Sequence, residues 1–284
     1  MNRLAVRTFT SMADLGFDPM LYSRLKYGCM YSSIILGIEL GIEIGKWVES
    51  SVKEGEIVML AGAPYNKVPV ASTALAIYAT MYLQDKYPNI TFKAFKINRD
   101  HSYDVDYGSM SASEREELIS AEKFTCNPAD LEGQHTIFID DIVISGAHER
   151  NMVRMVEDLQ LESNIVYAYY AMLSDESCCP TIENDLNHSW IEKDGSNIVD
   201  FIAECCSQEQ NYPTGIILNT RCCKFLLSLN YEIFGTLISD NFIPAFFYIE
   251  LYRLALANGY HKVELYQKNF TTLKNLIDIT NGFS

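Results

Sequence analysis

Hydrophobic positions along the chain alternate between a helical and an extended period. Between residues 32 and 50, Ile34, Ile35, Ile38, Ile42, Trp47 and Val48 fall at near-helical spacing with Glu39, Glu43, Lys46 and Glu49 among them, which predicts an amphipathic helix. The apolar run EIVMLAG at 56–62 ends on glycine, a turn with Pro64 and Pro69 follows, and VASTALAIYATMYLQDKY has apolar residues at helical intervals. That is strand, loop, helix. ITFKAFKI at 90–97 has strand composition, and HTIFIDD at 135–141 is a short strand closed by two acids. AHERNMVRMVEDLQ then sets Met152, Val153, Val156 and Leu159 on one helical face, and NIVYAYYAML at 164–173 is a nearly continuous apolar run, as in strands buried on both sides. Strands alternating with helices predict an α/β fold, a parallel sheet flanked by helices, with its ligand site at the carboxyl ends of the strands.

Two stretches break the pattern. Residues 98–134 are polar and long for a connection; SASEREELI, whose Ser111 and Glu114 fit a capping box, predicts a short helix, and 98–110 remain as a candidate lid. Beyond 175 the sequence turns mostly helical, with FIAECC, RCCKFLLSL and FIPAFFYIELYRLALANGY. Residues 1–175 are therefore expected to form the α/β domain, and 176–284 a helical region that packs on the sheet or extends from it. No chemistry is legible in that carboxyl third.

Composition adds limits. A chain of 284 residues, 48% apolar and 21% charged, has the profile of an enzyme-sized globular protein. At that length folding removes roughly 75% of the unfolded surface, so no disulfide or metal is needed for a core. With 37 acidic and 22 basic residues the formal charge is -15, a field that opposes phosphate backbones and anionic lipid. Nonspecific nucleic-acid or membrane binding is not expected, and an anionic small molecule would bind only where local donors override that field. The amino terminus has no apolar stretch of signal-peptide length, and Glu39 and Glu43 interrupt the longest early apolar run, which points to a cytoplasmic protein with reduced thiols. Six of the eight cysteines form adjacent pairs without a CxxC, so they read as small buried apolar residues before they read as zinc ligands.

The chemistry concentrates in TIFIDDIVISGAHERN, residues 136–151. A buried strand delivers Asp140 and Asp141, and the turn Ser145, Gly146, Ala147 precedes a helix. Small residues let backbone N–H groups converge, and a helix amino terminus adds about half a positive charge, which together hold a phosphate without a basic side chain. Acids beside such a cradle make sense if they accept hydrogen bonds from ribose hydroxyls or lie near a substrate-held magnesium ion. The competing reading is a strand that ends in solvated acids, with His148 a solvated helix-start residue.

This segment resembles the phosphoribosyl pyrophosphate (PRPP) motif of type I phosphoribosyltransferases. VMLAGAPYNKVPVASTALAIYA, residues 58–79, is similar to the pyrophosphate loop of orotate phosphoribosyltransferases, and Ile97, Asn98 and Arg99 resemble the start of their mobile loop. The resemblance spans 56–173 and implies a type I phosphoribosyltransferase fold. It implies that Asp140 and Asp141 hold the ribose hydroxyls and Mg2+, with Asp141 and Arg99 as catalytic residues, and that Ile144, Ser145, Gly146, Ala147 and His148 wrap the 5-phosphate. It implies pyrophosphate contacts from Gly62, Ala63, Pro64, Tyr65, Asn66, Lys67 and Arg99, the last across a homodimer interface. The partners would be PRPP and a nucleobase-like nitrogen acceptor, with pyrophosphate released. YSRLKYG at 22–28 sits where such enzymes place hood residues, with no role assigned.

Departures from the orotate pattern are plain. The loop NRDHSYDVDYG has Asp100, Asp104 and Asp106 where two lysines and a histidine are expected, leaving Arg99 and His101 as its basic groups. Asn66 replaces the loop lysine, with Lys67 one place late, and Ile144 and Ala147 replace threonines. The arginine expected after 164–173 is absent from LSDESCC. Orotate is therefore not assured as acceptor, and a non-catalytic PRPP- or nucleotide-binding module of the same fold is the alternative.

Overall fold

The computed structural model describes residues 2–99, 123–160, 164–174, 181–206, 214–239 and 245–281. Most of the expected lid and the short helix after it lie outside these residues. In chain order the strands are β1 (Asn2–Phe9), β2 (Ile57–Gly62), β3 (Thr91–Ala94), β4 (Asn98–Arg99), β5 (Phe124–Thr125), β6 (His135–Val143) and β7 (Asn164–Leu173). The first helices are α1 (Pro19–Lys26), α2 (Met30–Ser51), α3 (Ala71–Lys86) and α4 (Ala147–Leu159). After β7 come α5 (Ile182–Asn187), α6 (Ile198–Cys206), α7 (Thr220–Ser228), α8 (Tyr231–Ser239), α9 (Ala245–Ala257) and α10 (Glu264–Asn281).

Five strands form one sheet in the order β1-β7-β6-β2-β3, and every adjacent pair is parallel. Both faces are covered, which is why β6 and β7 read as continuous apolar runs. Ile137, Ile139, Val166 and Ala168 enter a core with Leu36, Leu40 and Ile44 of α2 and Leu75 of α3. Phe138, Tyr167 and Tyr169, the alternate positions, face the other way onto Met152 and Met155 of α4. The chain runs from β2 outward to β3 on one side and from β6 outward to β7 on the other. Their carboxyl ends therefore part at a topological switch point, where open α/β sheets take ligands.

The carboxyl-terminal region is helical, as the sequence predicts, and has its own core around Phe201, Cys222, Leu226, Phe234, Leu251 and Leu273. It is stitched to the amino-terminal segment by main chain. Ile217 N–H donates to Gly28 O at 2.7 Å, Met30 N–H donates to Gly215 O at 3.0 Å, and Cys29 forms an antiparallel bridge with Ile216. Tyr27 and Cys29 enter the carboxyl-terminal core. Cys29, Cys205, Cys222 and Cys223 are buried there as free thiols; for the last three, which belong to adjacent pairs, this matches the reading as small apolar residues, and Cys206 is half-buried. Among the described residues no helix is long and apolar enough to cross a membrane.

Two expectations change. The run 90–97 gives only the four-residue β3, because Phe95 N–H still reaches Leu60 O at 3.0 Å but the chain then leaves the sheet for β4. A strand not anticipated, β1, forms the edge of the sheet beside β7.

The stitch predicts a specific weakness. Gly28 has φ +87°, and a Cβ there would lie 2.0 Å from Ile217 O. Gly28→Ala should cost about 3 kcal/mol from left-handed strain and overpacking together, read as a lower urea midpoint. An unchanged midpoint would show that this junction is not tightly fixed.

Candidate functional site

The switch point opens into a cavity of about 670 Å³, within the range of about 300–1,000 Å³ usual for small-molecule sites. One wall is the chain leaving β6. The β6–β7 ladder ends at Val143 paired with Met172, so Ile144, Ser145 and Gly146 lie past the sheet and line the cavity with Ala147 and His148. Gly146 takes φ +70° as N-cap of α4, a conformation that favours glycine. The leading N–H groups of a helix have no intrahelical acceptor, and here that end opens on the cavity. The turn is braced from behind by basic side chains, which sequence reasoning did not foresee. Arg150 Nη1 donates to Ser145 O at 2.7 Å. Arg3 of β1 makes a forked pair with buried Glu149 at 2.7–3.1 Å, and the Tyr169 hydroxyl donates to the same carboxylate.

The acid pair divides into unlike members. Asp141 Oδ2 accepts from Lys26 Nζ and from the Tyr22 hydroxyl, both at 2.5 Å, and Lys26 Nζ also lies 3.5 Å from Glu183 Oε1. Burial opposes the Asp141 charge, yet the Lys26 ammonium and these hydrogen bonds hold its pKa down to about 2. Asp140 moves the other way. Burial and then the neighbouring Asp141 charge push it well above the usual carboxylate range. Its Oδ1 accepts from Asp141 N–H at 2.9 Å, and a fifth of its side chain remains exposed to the cavity. Asp140 is thus the member placed to meet ligand hydroxyls. Burial and then the Arg99 charge lower the pKa of His148 to about 4, so its imidazole is neutral at pH 7. His148 is enclosed by protein but still turns 39% of its side chain to the cavity space.

The expected pyrophosphate residues separate. Ala63, Pro64 and Arg99 line the cavity, whereas Gly62, Tyr65, Asn66 and Lys67 do not. Gly62 serves a close approach, since a Cβ would lie 2.9 Å from Thr73 Cα at the start of α3. Tyr65 is bound by main chain to the β4 segment through Ile97 O and Arg99 N–H, and its ring lies 4.5 Å from Lys96 Nζ. Lys96 Nζ donates to Asn66 O, and Lys67 is exposed. The single-residue offset of Lys67 from the orotate pattern thus has a structural counterpart. Arg99, expected to reach a partner's site, faces the cavity of its own chain. Asp100, His101, Tyr103, Asp104 and Asp106 lie outside the described residues.

A protein-held magnesium ion does not fit this arrangement. Asp141, an expected ligand, is taken by Lys26 and Tyr22, and among the described residues no three His, Cys, Asp or Glu side chains gather as a metal site. Lys26 instead puts a fixed positive charge beside the acids.

Sequence reasoning missed two further parts of the site. Lys26 stands in the hood segment, where no local pattern ties it to an acid 115 residues away. The opposite wall comes from the carboxyl-terminal helices, through residues that include Asn184, His188, Arg221, Lys224 and Phe225. The available signal was the amphipathic spacing of α7, which buries Cys222, Cys223, Leu226 and Leu227 and leaves a polar stripe.

The sequence matches the family described as "PRTase ComF-like" over residues 1–273, which takes in the carboxyl-terminal helices as well as the sheet. No curated protein matches the chain. Among solved structures it is similar to a hypoxanthine-guanine phosphoribosyltransferase of L. donovani, at 14% identity and TM-score 0.35, over 50% of this chain and 72% of that one. It is also similar to a hypoxanthine phosphoribosyltransferase from Staphylococcus aureus, at 10% identity and TM-score 0.33, over 52% of this chain and 70% of that one. A parallel sheet flanked by helices, with helices after it and a family match across nearly all of its length, places this chain in the PRTase ComF-like family.

Proposed function

We propose that the cavity binds PRPP and that the chain transfers its phosphoribosyl group to a nitrogen acceptor, with release of pyrophosphate. The observation that carries this reading is the end of the β6 ladder at Val143. There the Gly146 turn presents the amino terminus of a 13-residue helix to the cavity beside Asp140. The 5-phosphate sits against the N–H groups at Gly146, Ala147 and His148, where the helix dipole favours an anion. Asp140 meets the ribose hydroxyls, and neutral His148 offers a hydrogen bond without adding charge. Ala63 and Arg99 face the pyrophosphate. In the reaction the bond from C1 to the pyrophosphate oxygen breaks, its electron pair leaves with pyrophosphate, and the acceptor nitrogen supplies the pair for the new C1–N bond. Arg99 offsets the negative charge that builds on the leaving group.

One observation favours binding without turnover as the second reading: Asp141 Oδ2 already accepts from Lys26 and Tyr22, so the charge of one of the two acids is committed to the protein. Pyrophosphate release from PRPP across a panel of nitrogen heterocycles separates the two. Release above the no-acceptor control supports transfer, and its absence together with measurable PRPP affinity supports the binding module.

Two outcomes are expected for variants. Asp140→Ala should weaken ribose 5-phosphate and PRPP about 10–100-fold by calorimetry, the worth of one or two buried hydrogen bonds, while inorganic phosphate changes less than threefold. Equal losses for all three ligands would remove Asp140 from the ribose. For His148 the folded pKa of about 4 lies below the ordinary value of 6.5. Its contribution to stability is therefore present above pH 6.5 and lost as pH falls toward 4. The wild-type urea midpoint should decline over that window more steeply than that of His148→Gln; parallel declines would show that His148 is not held neutral.

A further inference from the structure

Lys26 is a cation turned inward. A basic residue in the last turn of a helix ordinarily reaches the closing carbonyls or water. This one, at the end of α1, has a side chain only 11% exposed. Its Nζ donates to Asp141 Oδ2 at 2.5 Å, lies 3.5 Å from Glu183 Oε1 and stands 5.7 Å from the centroid of the Tyr22 ring. The Tyr22 hydroxyl donates to the same Asp141 oxygen at 2.5 Å. Main chain fixes the segment around it: Cys29 N–H donates to Arg24 O at 2.9 Å, Gly28 N–H to Leu25 O at 3.0 Å, and the Asn219 amide to Lys26 O at 3.1 Å. The ammonium has little freedom to withdraw from the acids.

The resemblance at residues 136–151 places a divalent ion at these acids, and Lys26 stands in its way. Lys26, Asp140, Asp141 and Glu183 all line the cavity, so the ammonium is part of the wall that a ligand meets. Magnesium takes an octahedron of oxygens at about 2.0–2.1 Å and gives up its waters reluctantly. An ion held that way on Asp141 would stand close to the Lys26 charge, and in a wall with little water between them the two would repel. A lysine ammonium asks for less, since it is a compact charge with three donors and no fixed coordination geometry. A protein of net charge -15 attracts cations in general, so a pair of acids facing a cavity would draw one from solution if the chain did not supply its own.

Resting on the reading of the cavity as a PRPP site, we infer that Lys26 is a built-in cation in place of magnesium, and that the chain binds free PRPP as tightly as its magnesium complex. The ammonium offsets the acids from within the wall, so the ribose hydroxyls approach Asp140 with no metal between them. The same charge keeps a divalent ion off Asp141. Lys26 thus makes the site answer to the sugar phosphate and leaves it indifferent to the metal that accompanies it.

The test is calorimetric titration of PRPP into the full chain, once with excess magnesium and once with EDTA at matched ionic strength. The two wild-type affinities should agree within threefold. Lys26→Gln keeps a donor for Asp141 and removes the charge. In that variant PRPP affinity should fall at least tenfold in EDTA and return to within threefold of wild type in magnesium. A wild-type affinity that rises more than threefold with magnesium overturns the inference whatever the variant does, including where the variant fails to fold. A folded variant that loses affinity equally in both buffers, or in neither, also overturns it. Absence of PRPP binding to the wild-type chain in both buffers would instead overturn the underlying reading of the cavity.

Discussion

A single buried ammonium organises the site. Lys26 Nζ, on a side chain 11% exposed, lies 2.5 Å from Asp141 and 3.5 Å from Glu183, and its main-chain carbonyl accepts from Asn219 at 3.1 Å. Through these contacts one residue at the end of α1 joins the central strand β6, the short helix α5 and the cap of α7. Removing one member of a buried ion pair leaves the other uncompensated at a cost of roughly 3–5 kcal/mol, so the three elements are not independent. Tyr22, one turn earlier on α1, donates to the same Asp141 oxygen, which fixes the helix in rotation as well as in place.

That constraint sets the character of the cavity. With Asp141 neutralised from below, Asp140 faces the open space with its charge disfavoured by burial and by its neighbour. The Gly146 turn and the α4 amino terminus then form an anion-favouring wall, backed by Arg3 and Arg150. The carboxyl-terminal helices close the far side. The family match over residues 1–273 agrees with this division of labour, since the sheet region alone leaves one wall of the cavity unbuilt.

Much of the fold was legible in the sequence because its strongest signals are local. The helix expected over 32–50 spans Met30–Ser51, and the strand expected over 164–173 is Asn164–Leu173. The turn after Asp141 was legible too, since small residues between an apolar strand and an amphipathic helix leave few conformations. β1 was not, because Arg3 and Arg7 interrupt its apolar positions, and this edge strand sets only Leu4, Val6 and Phe9 against the core. The placement of Tyr65, Asn66 and Lys67 depends on a bridge to Asn98 that no local pattern encodes. The role of RCCKFLLSL was hidden for a related reason. Its period shows a helix, but only the tertiary arrangement shows that the polar face points into a cavity.

The most direct test of the central claim is a crystal structure of the full chain with ribose 5-phosphate. The phosphate is expected within hydrogen-bond distance of the main-chain N–H groups at Gly146, Ala147 and His148, with a ribose hydroxyl on Asp140. A phosphate bound elsewhere in the cavity, with that turn empty, would contradict it.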